Sequence, residues 1–212
     1  MLRTETVTPG TLELLKELMN DEVLNEFFLV GGTALSLQIG HRISIDIDLF
    51  SINPFDEDEI LARLSEKNFL LNYQSKNTLK GQINNVQTDL ITHAYPLVKS
   101  LQIVAGIRLA SLEDIAAMKL NAIISNGTRL KDFIDIACLS CYLSFQQMVN
   151  AYESKYKQRN PYIILKSLEY TDEINKHEPI HLLNAKYSWQ KLEQRLKEIP
   201  EQPDSVFSTA PW

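Results

Sequence analysis

The chain has 212 residues, 44% hydrophobic and 23% charged, with a formal net charge of −6. That is the profile of a globular protein of one domain or two small lobes, and the negative balance argues against broad, non-specific coating of nucleic acid while leaving room for a local basic patch. No apolar run reaches membrane-spanning length and Met1-Leu-Arg-Thr-Glu-Thr lacks the apolar core of a signal peptide, so a cytoplasmic protein without a membrane partner is expected.

In chain order, residues 9–27 read as a leading helix. Leu12, Leu14, Leu15, Leu18 and Met19 form an apolar stripe, with Glu13, Lys16 and Glu17 outside it and a break at Asn20-Asp21. Phe28 to Val30 is a short buried strand that stops at Gly31-Gly32. Thr33 to Gln38 is then a helix closed by Gly40. Gly31, Gly32 and Thr33 are small residues at a helix start, where free backbone N–H groups and the positive end of the dipole receive a phosphate. Next, Ile43, Ile45, Ile47 and Leu49 alternate with Ser44, Asp46, Asp48 and Phe50, the period of a strand. Asp46 and Asp48 then stand side by side on one face. Two carboxylates so close repel unless a positive group lies between them, and a divalent cation such as Mg²⁺ suits hard oxygen ligands. Acids that bind metal beside a phosphate-binding turn point to chemistry on a nucleoside triphosphate.

Asn53-Pro54 is expected to open the following helix, with Asp56, Glu57, Asp58 and Glu59 in its first turn as dipole-matched, solvated acids rather than a metal cluster. Ile60, Leu61 and Leu64 seat this helix on the core. Phe69 to Gln74 reads as a strand, Asn77 to Lys80 with Gly81 as a turn, and Val86 to Thr92 as a strand. Within the last, Asp89 is a lone acid among β-formers. It is either a solvent-facing edge position or a third metal ligand, and the paired acids upstream favour the ligand. A two-metal site needs about three carboxylates, with the ions roughly 3.5–4 Å apart.

Ser111 caps a long helix, Leu112 to Ser125, with Asp114 three residues on. Lys119 falls in its apolar stripe among Leu112, Ile115, Ala116, Ala122 and Ile123, so it either snorkels to water or meets an anion in a cleft. After Asn126-Gly127 a helix runs from Thr128 to about Leu143. Arg129 and Lys131 sit near its start against the dipole preference, as residues that serve an anion would. Asp132 and Asp135 share a face, and pairing with Arg129, Lys131 or Lys119 is as consistent with the spacing as catalysis is. Cys138 and Cys141 read as structural thiols, not a redox pair. Further helices are expected near 144–157, 161–169 and 188–198, with Lys155, Lys157 and Arg159 on a solvated basic face. His177 and His181 have helical spacing, but Pro179 between them breaks the geometry a zinc site would need. The tail from Pro200 to Trp212 reads as irregular.

Gly31-Gly32-Thr33, twelve intervening residues and then Asp46-Ile47-Asp48 resemble the signature of the nucleotidyltransferase superfamily. The fuller match, Leu-Val-Gly-Gly-Thr-Ala-Leu with His-Arg-Ile-Ser-Ile-Asp-Ile-Asp-Leu-Phe, is similar to the AbiEii/AbiGii nucleotidyltransferase toxin family. The resemblance continues through Asp89, Lys119, Lys131-Asp132-Phe133-Ile134-Asp135, Ser167-Leu168-Glu169-Tyr170 and Trp189, and so spans most of the chain. It implies an α+β protein: a nucleotidyltransferase-like mixed-sheet core over 1–108 with flanking helices, then a helical C-terminal lobe over 109–212. It also implies a toxin of a bacterial toxin–antitoxin or abortive-infection system, with a separate antitoxin protein as partner. The implied reaction moves a nucleotide from an NTP to RNA, with tRNA the suspected acceptor, using Mg²⁺ or Mn²⁺. Carried over by position, Asp46, Asp48 and Asp89 hold metal, Gly31, Gly32 and Thr33 hold the triphosphate, and Lys119 and Lys131 contact phosphate. Asp132 or Asp135 completes the later motif. Many relatives carry an arginine where Asn126 stands, a charge Arg129 is placed to supply. Rival readings are transfer to a protein or small molecule, or a nucleotide-binding module without catalysis.

Overall fold

The computed structural model describes residues 1–157 and 160–212. The chain divides into two compact units, Met1–Ala110 and Ser111–Trp212.

In the first unit a 3₁₀ turn at Thr4–Thr6 leads into α1 (Pro9–Met19), a second 3₁₀ turn (Glu22–Leu24), β1 (Phe28–Leu29), α2 (Gly31–Ile39), β2 (Ile47–Ser51) and α3 (Glu57–Ser65). β3 (Leu70–Ser75), β4 (Thr78–Ile83), β5 (Val86–Thr92), β6 (Gln102–Val104) and β7 (Ile107–Leu109) complete it. The strands form one seven-stranded mixed sheet in the order β3-β4-β5-β2-β1-β7-β6. β2 runs parallel to β5 and β1 parallel to β7; the remaining pairs are antiparallel. Local chemistry sets the helix starts. Thr8 caps α1 by accepting from the Thr11 N–H at 3.1 Å, with Pro9 at the first helical position. Arg108 on β7 donates to the carbonyls of Met19 (2.8 Å), Leu24 (2.9 Å) and Phe27 (2.7 Å), satisfying backbone oxygens that α1 and the turn after it leave open. Its partial burial lowers its pKa.

Three sequence expectations change here. The strand with the paired acids begins at Ile47, not Ile43, and Ile45 is 59% exposed. The buried Thr33 hydroxyl donates to the Asp46 carbonyl, and the Ser44 N–H to Thr6 O at 2.9 Å, so residues 43–46 are tied to α2 and the N-terminal turn rather than to the sheet ladder. The cap of α3 is Asp56, accepting from the Asp58 and Glu59 N–H groups at 3.0 Å, not Asn53. Residues 78–81 of the turn expected over Asn77 to Gly81 instead belong to β4 (Thr78–Ile83). The turn contracts to Lys76-Asn77, with Asn77 at φ 56°. Leu79, Gly81 and Ile83 of β4 are buried and alternate with half-buried Thr78, Lys80 and Gln82.

The second unit is helical: α4 (Leu112–Ser125), α5 (Leu130–Leu139), α6 (Phe145–Tyr156), α7 (Pro161–Glu169) and α8 (Trp189–Glu201). α4 packs against α5, α6 and α7, and α8 against α5 and α7. Ser111 caps α4 as its sequence indicated, accepting from the Asp114 N–H at 3.0 Å. The Asp114 carboxylate is fully buried, and it draws in Lys155 at 2.8 Å together with the Ser111 hydroxyl at 2.7 Å. Lys155 is therefore interior and not part of a solvated basic face; Lys157 is exposed, and Arg159 lies outside the described residues. A buried carboxylate needs such a partner, because leaving it unpaired costs several kcal/mol, of order 3–5. α5 is shorter than expected, ending at Leu139 with Ser140 as its C-cap. α8 continues through Pro200, and Arg195 then fixes the irregular tail by stacking on Phe207 at 4.1 Å and donating to Thr209 O at 3.0 Å. Cys138 and Cys141 are free thiols, Cys138 buried. Among the described residues no helix is long and apolar enough to cross a membrane.

Candidate active site

The central strands of the sheet bring the acids together. In the parallel β2–β5 pair Asp48 stands opposite Asp89, so the two side chains project from the same face of strands about 4.8 Å apart. Their neighbours settle which face this is. Ile47, Leu49, Thr88 and Leu90 are buried, whereas Asp48 and Asp89 are half-buried. The lone acid of β5 is thus on the same side as its partner on β2, against the central strand rather than at a solvent-facing edge.

The glycine turn abuts this row. The Val30 N–H donates to Asp48 O at 3.0 Å, which sets the end of β1 beside Asp48. Gly31 follows with φ +70°, and a Cβ there would overlap Asp48 Oδ2. At Gly32 a Cβ would overlap the guanidinium of Arg42, itself only 4% exposed. A buried cation therefore lies against the first turn of α2, adding to the positive end of the dipole. No side chain caps this helix; Val30 precedes it in extended conformation. The Thr33 hydroxyl is committed to Ser44 Oγ (2.9 Å) and the Asp46 carbonyl. Thr33 thus orders the segment that carries Asp46, and its side chain is turned inward. Replacing Gly31 with alanine is expected to strain the left-handed backbone and displace the Asp48 carboxylate. We expect a loss of about 1–2 kcal/mol of stability, read by denaturant titration.

Asp46 is exposed and lies one residue ahead of β2. Both oxygens of Asp89 are engaged: Gln87 Nε2 donates to Oδ1 at 2.7 Å, and Lys80 Nζ lies 3.1 Å from Oδ2. Among the described residues no three His, Cys, Asp or Glu side chains are gathered tightly enough to hold a metal ion as they stand. The pair Asp48 and Asp89 nevertheless fits Mg²⁺ in donor type, as hard oxygen ligands at facing positions of adjacent strands. That ion is commonly held by one or two carboxylates, with water and substrate phosphates completing its shell.

The remaining sequence candidates lie in the helical unit. Lys119 is 7% exposed, and the anions it meets are protein carboxylates: Nζ is 2.6 Å from Asp132 Oδ1 and 2.8 Å from Asp135 Oδ2. α4 supplies the lysine, and two positions on one face of α5 supply the acids. Asp132 sits in the first turn of α5, where the dipole favours an acid. Its Oδ2 is buried without a hydrogen bond, with Arg129 Nε 3.8 Å away. Lys131 is not part of this cluster and pairs with Glu178 at 3.1 Å. His177 and His181 lie in the irregular stretch between α7 and α8.

Sequence reasoning did not place Arg42 under the glycines, and it missed Lys80 because the first part of β4 was read as a turn. The signal for Lys80 was the alternation of Leu79, Gly81 and Ile83, which puts the lysine on the face of the acids.

A family model described as "Nucleotidyl transferase AbiEii toxin, Type IV TA system" matches residues 13–68 and 81–207. The chain is 34% identical over 170 residues to the uncharacterized protein aq_aa25 of Aquifex aeolicus (strain VF5), covering 76% of this chain and 81% of that one. Its fold is similar to that of a proposed nucleotidyltransferase from H. pylori, with TM-score 0.51 at 16% identity over 91% and 92% of the two chains. JHP933 from Helicobacter pylori gives TM-score 0.49 at 16% identity over 91% and 90%.

Proposed function

The chain belongs to the AbiEii nucleotidyltransferase toxin family, and from that membership we propose that it transfers a nucleotide from an NTP to an RNA hydroxyl, tRNA being the first acceptor to try, as the toxin of a toxin–antitoxin or abortive-infection system. The observation that carries this reading is the register of Asp48 against Asp89 beside the uncapped start of α2. In the reaction the acceptor oxygen bonds to the α-phosphorus, the bond from that phosphorus to the bridging oxygen breaks, and pyrophosphate leaves. The N–H groups of Gly31 and Gly32 receive the triphosphate, and Arg42 beneath them offsets its charge. Asp48 and Asp89, with Asp46 at the strand entrance, would hold Mg²⁺ or Mn²⁺, which supplies charge neutralisation and a more acidic attacking hydroxyl. Asp89 would also accept the proton of that hydroxyl once its own partners give way. Catalysis here is chiefly positioning and charge stabilisation.

Within the helical unit, the same family membership makes Lys119, Asp132 and Asp135 proposed functional residues. Between the two acids we assign the functional part to Asp132, which keeps a buried oxygen without a hydrogen-bond donor, and the positioning part to Asp135. Lys131 stays a candidate for phosphate through its half-exposed ammonium. A cytoplasmic site of action and a cognate antitoxin protein belong to the same reading.

The test is to incubate the protein with each labelled NTP and total RNA, and separately with lysate protein, with and without Mg²⁺. Label in RNA that depends on Mg²⁺ is the expected result. Label only in protein would replace RNA with a protein acceptor, and no label in either, with nucleotide still bound, would favour a binding module.

A further inference from the structure

Asp89 is the acid that sequence reading assigns to a cation, yet its side chain is fully engaged by the protein. Lys80 faces it directly across the antiparallel β4–β5 pair, just as Asp48 faces it on the other side in the β2–β5 pair. Lys80, Asp89 and Asp48 thus form one row across three adjacent strands on a single face. The ammonium is 3.1 Å from Asp89 Oδ2, Gln87 holds Oδ1 at 2.7 Å, and the lysine side chain is 41% exposed where Asp89 is 14% exposed. A half-exposed lysine holds its carboxylate weakly and on a flexible stem, so it can leave without disturbing the core. Gln87, being neutral, can keep Oδ1 while Oδ2 changes partner.

We infer that Lys80 is an exchangeable counter-ion: it holds Asp89 in register and gives up Oδ2 to a divalent cation, so that cation binding at the acid row proceeds against a built-in competitor. This rests on the metal-binding role proposed above for Asp48 and Asp89. A device of this kind keeps the row from collecting free cations. It also leaves a released ammonium on the same face to meet the negative charge that a polyphosphate brings with its own cation. Lys80 is a positioning residue in this scheme, acting through Asp89.

The experiment is Mn²⁺ titration followed by electron paramagnetic resonance on the full chain without nucleotide, for wild type, Lys80→Met, Asp89→Asn, the Lys80→Met/Asp89→Asn double variant and Asp48→Asn. Circular dichroism confirms that each is folded. Lys80→Met is expected to bind Mn²⁺ about fivefold more tightly, the scale of releasing one partly exposed ion pair. That gain is expected to vanish in the Asp89→Asn background. An affinity unchanged by Lys80→Met would overturn the exchange. So would a gain that persists undiminished with Asp89→Asn, which would mark a general charge effect. Mn²⁺ binding left intact by Asp48→Asn would overturn the metal reading itself, a failure distinct from that of the exchange.

Discussion

Asp48→Asn is expected to lower nucleotide transfer by about a thousandfold or more while leaving the protein folded. The substitution preserves shape, and the site demands that: a Cβ on the adjacent Gly31 would already overlap Asp48 Oδ2. What changes is charge. Asp48 ends the row, opposite Asp89 and beside the start of α2. An amide there offers a neutral oxygen in place of a carboxylate where cation and phosphate charge must be balanced. Each tenfold in rate corresponds to about 1.36 kcal/mol of transition-state stabilisation, so a thousandfold loss asks about 4 kcal/mol of one carboxylate, within the range for a well-placed charge in a sheltered site. Single-turnover transfer under saturating NTP reads the effect, and an unchanged denaturation midpoint separates it from unfolding. Transfer within threefold of wild type would remove Asp48 from the chemistry.

Lys119→Met is expected to destabilise the helical unit by about 3–5 kcal/mol, the larger of the structural effects. Removing the lysine leaves two interior carboxylates, Asp132 and Asp135, at 2% and 0% side-chain exposure, without the cation that lies 2.6 and 2.8 Å from them. Arg129 is 3.8 Å from Asp132 but its side chain is 65% exposed, so it compensates little. Adding Asp135→Asn to Lys119→Met is expected to recover part of the loss by removing one uncompensated charge. Guanidinium denaturation with unchanged slope is the readout. In single variants, Asp132→Asn should cut transfer more than stability, and Asp135→Asn the reverse. Equal effects of the two acids on both would contradict the division of roles.

Much of this architecture is legible in the sequence where one physical signal dominates. β5 was read to its ends because Val86, Thr88, Ile91 and Thr92 are β-branched, and α4 because Ser111 and Asn126 punctuate it at both ends. The Gly31–Thr33 turn and Asp48 were legible because glycines and a mid-strand acid both need a reason. β4 was missed because Asn77 and Gly81 look like loop residues. It took the register with β5 to show that only Lys76-Asn77 turns. The start of β2 was misplaced because perfect alternation from Ile43 imitates a strand, while a tertiary bond from Thr33 to Asp46 O overrides it. Lys155 looked like part of a wet basic run, since nothing local reveals that Asp114, forty-one positions away, needs a cation. These are long-range pairings, and periodicity carries no information about them.

The most direct measurement compares α-labelled with γ-labelled NTP as donor to total RNA in the presence of Mg²⁺. The expected result is label in RNA from the α position only, with pyrophosphate released in equal amount and nothing transferred by Asp48→Asn protein. Label arriving from the γ position, or α-label transferred equally well by Asp48→Asn, would contradict nucleotidyl transfer at this acid row.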